Sequence, residues 1–262
     1  MLPSTVIEII DAAHLTKYVE SPFHQRGGIM LVAPPGALKS TMIECALSEY
    51  PNALCLADLN INTLMKMRDD LTSNRFATIG FGEFEKLYQR AQVTSSNIEG
   101  TIKMLTEEGF IRASFEDVRI SGIKARCFIV GGMTPSFYSQ KYDGWIKSGF
   151  ARRFLWSIFN VSNPEMILEA IHQNQKLEMN GIPRRYPGMK AIPLNVTVSE
   201  SRYLMKLVKE QPGEATPYAT LKKIFAALRW KYQKKKSRPM EIMEDFAPSL
   251  TRGGAELILP RK

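Results

Sequence analysis

Cysteine and histidine are scarce, with three of each in 262 residues. Cys45, Cys55 and Cys127 share no close spacing, no CxxC occurs, and His14, His24 and His172 are scattered, so the chain carries no zinc pattern. All three cysteines lie inside apolar runs, and buried, reduced thiols suit the cytosol. Long apolar runs are missing too: none approaches the ~20 residues that span a bilayer. The opening stretch MLPSTVIEIIDAAH sets no basic segment before an apolar core, so no secretory signal is expected there. These absences predict a soluble, cytoplasmic protein with no membrane partner.

What is present is ordinary for a globule: 44% hydrophobic, 23% charged and 10% aromatic residues. A chain of this length buries roughly 70–75% of its unfolded surface, so it needs no disulfide or metal staple. The charge is uneven. Of a net +9, residues 222–262 supply +7, from eleven Lys/Arg against four Asp/Glu. Such an excess favours a polyanion as partner.

Residues 5–19 read as an amphipathic helix, with Ile7, Ile10, Leu15 and Val19 on one face. IMLVA (29–33) is a wholly apolar run, as expected of a strand covered on both faces. A Pro/Gly turn follows, then a helix over 40–50. ALCLA (53–57) and FATIGFG (76–82) are further strand-like runs, ending at Asp58 and Glu83, with a helix expected over 60–72 between them. Strands alternating with helices predict an α/β fold: a mostly parallel sheet with right-handed crossovers, flanked by helices. Another helix is expected over 95–109, then two strands around Gly122, the second ending in VGG, then a helix near 134–142. Past residue 163 the texture becomes helical, over 165–177 and 199–210, and clearest over 216–236. There Thr216 would cap the helix, Pro217 take its first position, and Tyr218, Leu221, Phe225, Leu228 and Tyr232 form one stripe. The expected organisation is a core over 1–162 and a helical, basic region over 163–262.

The most informative segment is Ala33-Pro34-Pro35-Gly36-Ala37-Leu38-Lys39-Ser40-Thr41. It follows a buried strand and precedes a helix, the setting of a phosphate-binding loop. There backbone amides and a helix N-terminus converge on phosphate oxygens, a lysine reaches the β and γ phosphates, and a hydroxyl ligates Mg²⁺. Lys39 would be that lysine and Ser40 the ligand. The usual pattern is G-x-x-x-x-G-K-[ST]; Ala33 and Leu38 stand at its glycines, while Gly36 keeps some freedom for the turn. The bland alternative is an ordinary strand-to-helix turn with a solvated lysine.

Such a site needs carboxylates at neighbouring strand ends, one for the Mg²⁺ shell and one for the attacking water. Glu83 is the leading candidate, Asp58 its helper and Glu85 a weaker one; Gly82 occupies the place of the usual aspartate. Thr134, after the apolar run 127–133, would either sense the γ-phosphate or simply cap a helix before Pro135. Arg152 and Arg153, between apolar residues, would either neutralise phosphate charge or form a structural salt bridge.

With these residues quoted, the segment from about His24 to Phe159 resembles the P-loop ATPases of phages and other mobile elements, related to replicative-helicase and primase-helicase modules. The resemblance rests on Arg26-Gly27-Gly28, APPGALKS, Asp58, Glu83, VGGMTP and GFARRFL. It implies ATP hydrolysis with Mg²⁺ in a RecA-like or AAA-like core, a homo-oligomeric ring, and an arginine acting across the subunit boundary. Leu38 and Gly82 depart from the pattern and bear on hydrolysis more than on nucleotide binding.

Residues 229–238 hold six basic residues, two aromatics and no acid. Arg229, Lys231, Lys234, Lys235, Lys236 and Arg238 would contact nucleic acid, expected to be single-stranded DNA, or else line a solvated helix face over a core containing Trp230 and Tyr232. Two functions remain: a helicase-like ATPase acting on DNA in replication or mobilisation, with other replication proteins as partners, or a nucleotide- and DNA-binding loader that hydrolyses little. A small-molecule kinase would want an acceptor pocket and lid, which no motif identifies.

Overall fold

The computed structural model describes residues 3–21, 26–48, 50–56, 77–88, 92–108, 126–160, 165, 169 and 191–250. Asp58, the 60–72 helix, the first strand before Gly122, nearly all of 165–177 and the 181–188 stretch lie outside the described residues. Five strands form one sheet: β1 (Gly28–Val32), β2 (Ala53–Cys55), β3 (Thr78–Phe81), β4 (Phe128–Met133) and β5 (Phe154–Ile158). Their order is β2-β3-β4-β1-β5 and every pairing is parallel. β1 lies between β4 and β5, with Gly28 level with Ile129 and Phe154, and Val32 level with Met133 and Ile158.

The strands are apolar throughout because both faces are covered. Ile29 and Leu31 of β1 join the core beneath α1 (Pro3–Leu15) and α2 (Lys39–Leu47), while Met30 and Val32 join the one on the opposite face. That second layer holds α3 (Gln92–Lys103) and α4 (Pro135–Lys147). It is rich in aromatics: Trp145 lies 5.3 Å from Phe150 and 5.6 Å from Trp156, centroid to centroid. Such pairs add roughly 0.5–1.5 kcal/mol each beyond their buried area.

Three further helices, α5 (Val198–Val208), α6 (Ala215–Lys231) and α7 (Arg238–Leu250), pack on the α1/α2 side, where Leu204, Phe225 and Phe246 share one core with Ile29 and Val130. α1 is therefore enclosed by α2, α6 and α7, and eleven of its thirteen residues are buried rather than one face. The long helix expected over 216–236 ends at Lys231. Its N-cap is Glu214 instead of Thr216, and a turn separates it from α7, which the lysine run disguises in the sequence. Cys45 is half-buried, Cys55 exposed on the edge strand β2, and only Cys127 buried, so the expectation of three buried thiols holds for one. No helix among the described residues is long and apolar enough to cross a membrane.

The chain leaves β1 for β2 at one edge, returns through β3 to β4, and passes β1 again to reach β5. Opposite directions of travel put the connecting helices on opposite faces. The loop after β1 thus leads to α2 on one face and the loop after β4 to α4 on the other, opening a crevice at the carboxyl ends of β1 and β4. Open α/β sheets bind ligands at such a switch point.

Candidate functional site

The 33–38 loop leaves the carboxyl end of β1, tied by the Ala33 amide to the Met133 carbonyl (3.2 Å) and by the Ala37 amide to the Pro34 carbonyl (3.3 Å). Gly36 has φ +81° with nothing near the position of a Cβ. Leu38 has φ 48° and ψ 34°, and is the one non-glycine residue with positive φ among the described residues. Its backbone adopts the left-handed shape that a glycine would take there, at a cost of about 1–2 kcal/mol. Its side chain is retained against the α1/α2 core.

α2 begins at once, and Leu38, its N-cap, offers no side-chain bond to the first turn. The Lys39, Ser40 and Thr41 amides donate to no backbone acceptor among the described residues, as the first turn of any helix requires. With the positive end of the helix dipole, they form a place suited to an anion. Pro35, Gly36 and Thr41 are exposed, Pro34, Leu38, Lys39 and Ser40 half-buried, and Ala37 buried.

Lys39 folds back over the loop, its Nζ donating to the carbonyls of Ala33 (2.7 Å) and Pro34 (2.9 Å). Burial lowers its pKa from the usual lysine value, opposed by the fields of Glu85 first and Glu83 second. Ser40 Oγ donates to the Gly82 carbonyl at 3.0 Å. Its proton is thereby engaged while its lone pairs stay available, the state that suits a hydroxyl ligand of Mg²⁺. A Cβ on Gly82 would stand 2.8 Å from Ser40 Cβ. The first turn of α2 packs directly on the end of β3, which is why no aspartate occupies position 82.

Glu83 is half-exposed and ion-paired to Lys86 at 2.8 Å, an i,i+3 surface contact. Glu85 sits deeper: its Oε2 accepts from Thr134 Oγ1 (2.7 Å) and from the Thr134 amide (3.3 Å). Thr134 caps α4 by accepting from the Phe137 amide, so the helix-capping reading of this residue holds. The structure thus brings Lys39, Ser40, Glu83, Glu85 and Thr134 to one end of the sheet, and gives Glu85 the closer electrostatic tie to Lys39. A cavity of about 640 Å³ opens beside Glu85 and Thr134, lined also by Tyr88, Ser136, Phe137, Gln140 and Lys141 and not by Lys39, Ser40 or Glu83. No cluster of three or more His, Cys, Asp or Glu side chains suited to a metal occurs among the described residues. Mg²⁺ held mainly by water and substrate phosphates needs few protein ligands, and Ser40 would be one of them.

Arg152 and Arg153 are not part of this assembly. They precede β5, which runs parallel to β1 with Phe154 level with Gly28, so they lie at the amino ends of the strands. Five strand residues, about 16 Å, separate that end from the loop. Arg153 is buried and paired to Glu107 at 2.8 Å, the structural salt bridge; Arg152 is exposed.

The basic segment divides as well. Lys231 is held by Glu8 (2.7 Å) and Asp11 (2.6 Å) of α1, and Tyr232 also bonds Glu8. Burial pulls the Lys231 pKa down, but Asp11 and Glu8 together outweigh it and the net shift is upward. Arg229 pairs with Glu200 (2.8 Å) and Arg238 with Glu241 (3.4 Å). Lys234, Lys235 and Lys236 are exposed in the turn between α6 and α7.

In the sequence Glu83 ranks ahead of Glu85 because it directly follows the strand. The i+2 spacing of a second acid is the signal that points to Glu85. Comparison with protein-family models and with curated proteins finds no match to this chain.

Proposed function

We propose that this chain binds ATP with Mg²⁺ at the 33–41 loop and hydrolyses it, as a helicase-like motor acting on DNA in the replication or mobilisation of a phage or other mobile element. The observation that supports this most is the convergence of a left-handed loop, a lysine, a hydroxyl and two carboxylates at the switch point of a parallel sheet. In this reading the amides of residues 39–41 and Lys39 hold the phosphates, and Lys39 exchanges its loop carbonyls for them. Ser40 ligates the metal, which would neutralise charge developing on the transferred phosphoryl group. Glu85, released from Thr134, orients water, with Glu83 in the outer metal shell. The motor would work as a homo-oligomeric ring, and of the arginine pair only Arg152 is exposed.

A loader or regulator that hydrolyses little is the second reading. Gly82 carries no carboxylate, and Glu83 faces solvent in a pair with Lys86. DNA-stimulated phosphate release separates the two. The motor reading expects stimulated turnover, lost in Lys39→Ala and reduced at least tenfold in Glu85→Gln, with a smaller loss in Glu83→Gln. A wild type no faster than Lys39→Ala, yet still binding ATP, leaves the loader.

A further inference from the structure

The end of the sheet opposite the loop carries its own concave site. Residues Ser148 and Gly149, Arg152 and Arg153, and the α5–α6 turn at Pro212 and Gly213 enclose a cleft of about 510 Å³, with Lys147 on its rim. No Asp or Glu is among its lining residues. Gly213, with φ +61°, lets the turn close onto the backbone and Cβ of Arg152, where a Cβ at 213 would stand 2.3 Å from Arg152 Cβ. The stem of Arg152 is thereby clamped, and its Nε and Cζ come within 3.6 and 3.8 Å of the Cβ position at Gly149. Arg153, beneath, is buried and ion-paired to Glu107. Arg152 and Lys147 have no ion pair among the described residues, and Lys103 Nζ closes the rim by bonding the Ser148 carbonyl at 2.9 Å.

We propose that this cleft binds a phosphodiester group of single-stranded nucleic acid, with Arg152 as a bidentate partner and Lys147 as a point charge. The cleft would locate the nucleic acid on which the proposed function rests, and it does not require the loop to bind nucleotide. A guanidinium lining a hollow and held along its stem is built to receive an anion. One that enters a neighbouring subunit must instead protrude.

The test is anisotropy of a labelled single-stranded oligonucleotide without nucleotide, over a range of salt, using wild type, Lys147→Gln with Arg152→Gln, and the exposed α5 pair Arg202→Gln with Lys206→Gln. On a single strand, each phosphate left without its cationic partner lowers the log K against log salt slope by about 0.7. The cleft pair, which holds one phosphate, should therefore lower it by about 0.7 and weaken binding at least tenfold at low salt, while the α5 pair leaves the slope unchanged. Inorganic phosphate is the second arm. Competition by it at concentrations near those of oligonucleotide phosphate would assign the cleft to a free anion and overturn the proposal. Oligonucleotide binding that the cleft pair leaves intact also overturns it, while the DNA reading stands. No binding by wild type sinks both, and ATP binding, measured separately, is untouched by either result. Loss of ATP turnover in Arg152→Gln with unchanged oligonucleotide affinity would give the residue to a neighbouring subunit instead.

Discussion

Leu38 holds a left-handed backbone that glycine would adopt without strain, and offsets the cost by packing its side chain on the core. Leu38→Gly relieves the strain and forfeits the packing, so urea denaturation should place it within about 1 kcal/mol of wild type. Leu38→Val puts a β-branched residue at positive φ and should fall by more, at least about 2 kcal/mol. A valine variant as stable as the glycine one would mean that the loop does not need this backbone shape. His14 offers a second test at this scale. It is buried, stacked on Tyr50 at 3.9 Å with Nδ1 3.1 Å from Thr78 Oγ1, and burial lowers its pKa from 6.5 to about 4. The unfolded chain takes up a proton near pH 6.5 that the folded chain refuses until about pH 4. His14 thus destabilises the fold as pH falls through that window, by up to about 3 kcal/mol. Urea unfolding between pH 7.5 and 4.5 should show a steeper loss in wild type than in His14→Asn; equal slopes would contradict it.

At the scale of elements, the basic segment is two structures. Lys231 fastens α6 to α1 through Glu8 and Asp11, whereas Lys234–Lys236 occupy the exposed turn that follows. Lys231→Met leaves two buried carboxylates uncompensated and should cost about 3 kcal/mol. Lys234→Gln with Lys235→Gln should stay within about 0.5 kcal/mol of wild type while weakening DNA binding. Denaturation and oligonucleotide titration of the same two proteins check both halves, and the reverse pattern would undo the division. The sequence could not reveal it, since the charge run is continuous while the acids that hold Lys231 sit more than 200 positions away on α1. The same run hides α7, whose Ile242, Met243, Phe246 and Leu250 are spaced for one apolar face but follow a stretch that reads as the tail of the previous helix. The strand–turn–helix at 29–47 was legible because a wholly apolar run, a Pro-Pro-Gly turn and a helix lie consecutively in the chain.

For the whole molecule, alternating apolar runs and helices sufficed for a parallel α/β sheet. They did not specify that β1 would be flanked by β4 and β5, because strand order is a matter of long-range pairing. That order decides the site. It brings Gly82 and Glu85 from β3 and Thr134 from β4 to the loop after β1, and it sends Arg152 and Arg153 to the far end of the sheet, where adjacency to apolar residues alone gave no direction. The proposed function needs one electrostatic fact: the free amides of the first turn of α2 and the ammonium of Lys39 would have to grip a triphosphate. Isothermal calorimetry of ATP with Mg²⁺ tests it most directly. The expected result is one saturable site in wild type, weakened at least tenfold in Lys39→Ala. A wild type that takes up no nucleotide, or a Lys39→Ala variant that binds equally well, would contradict it.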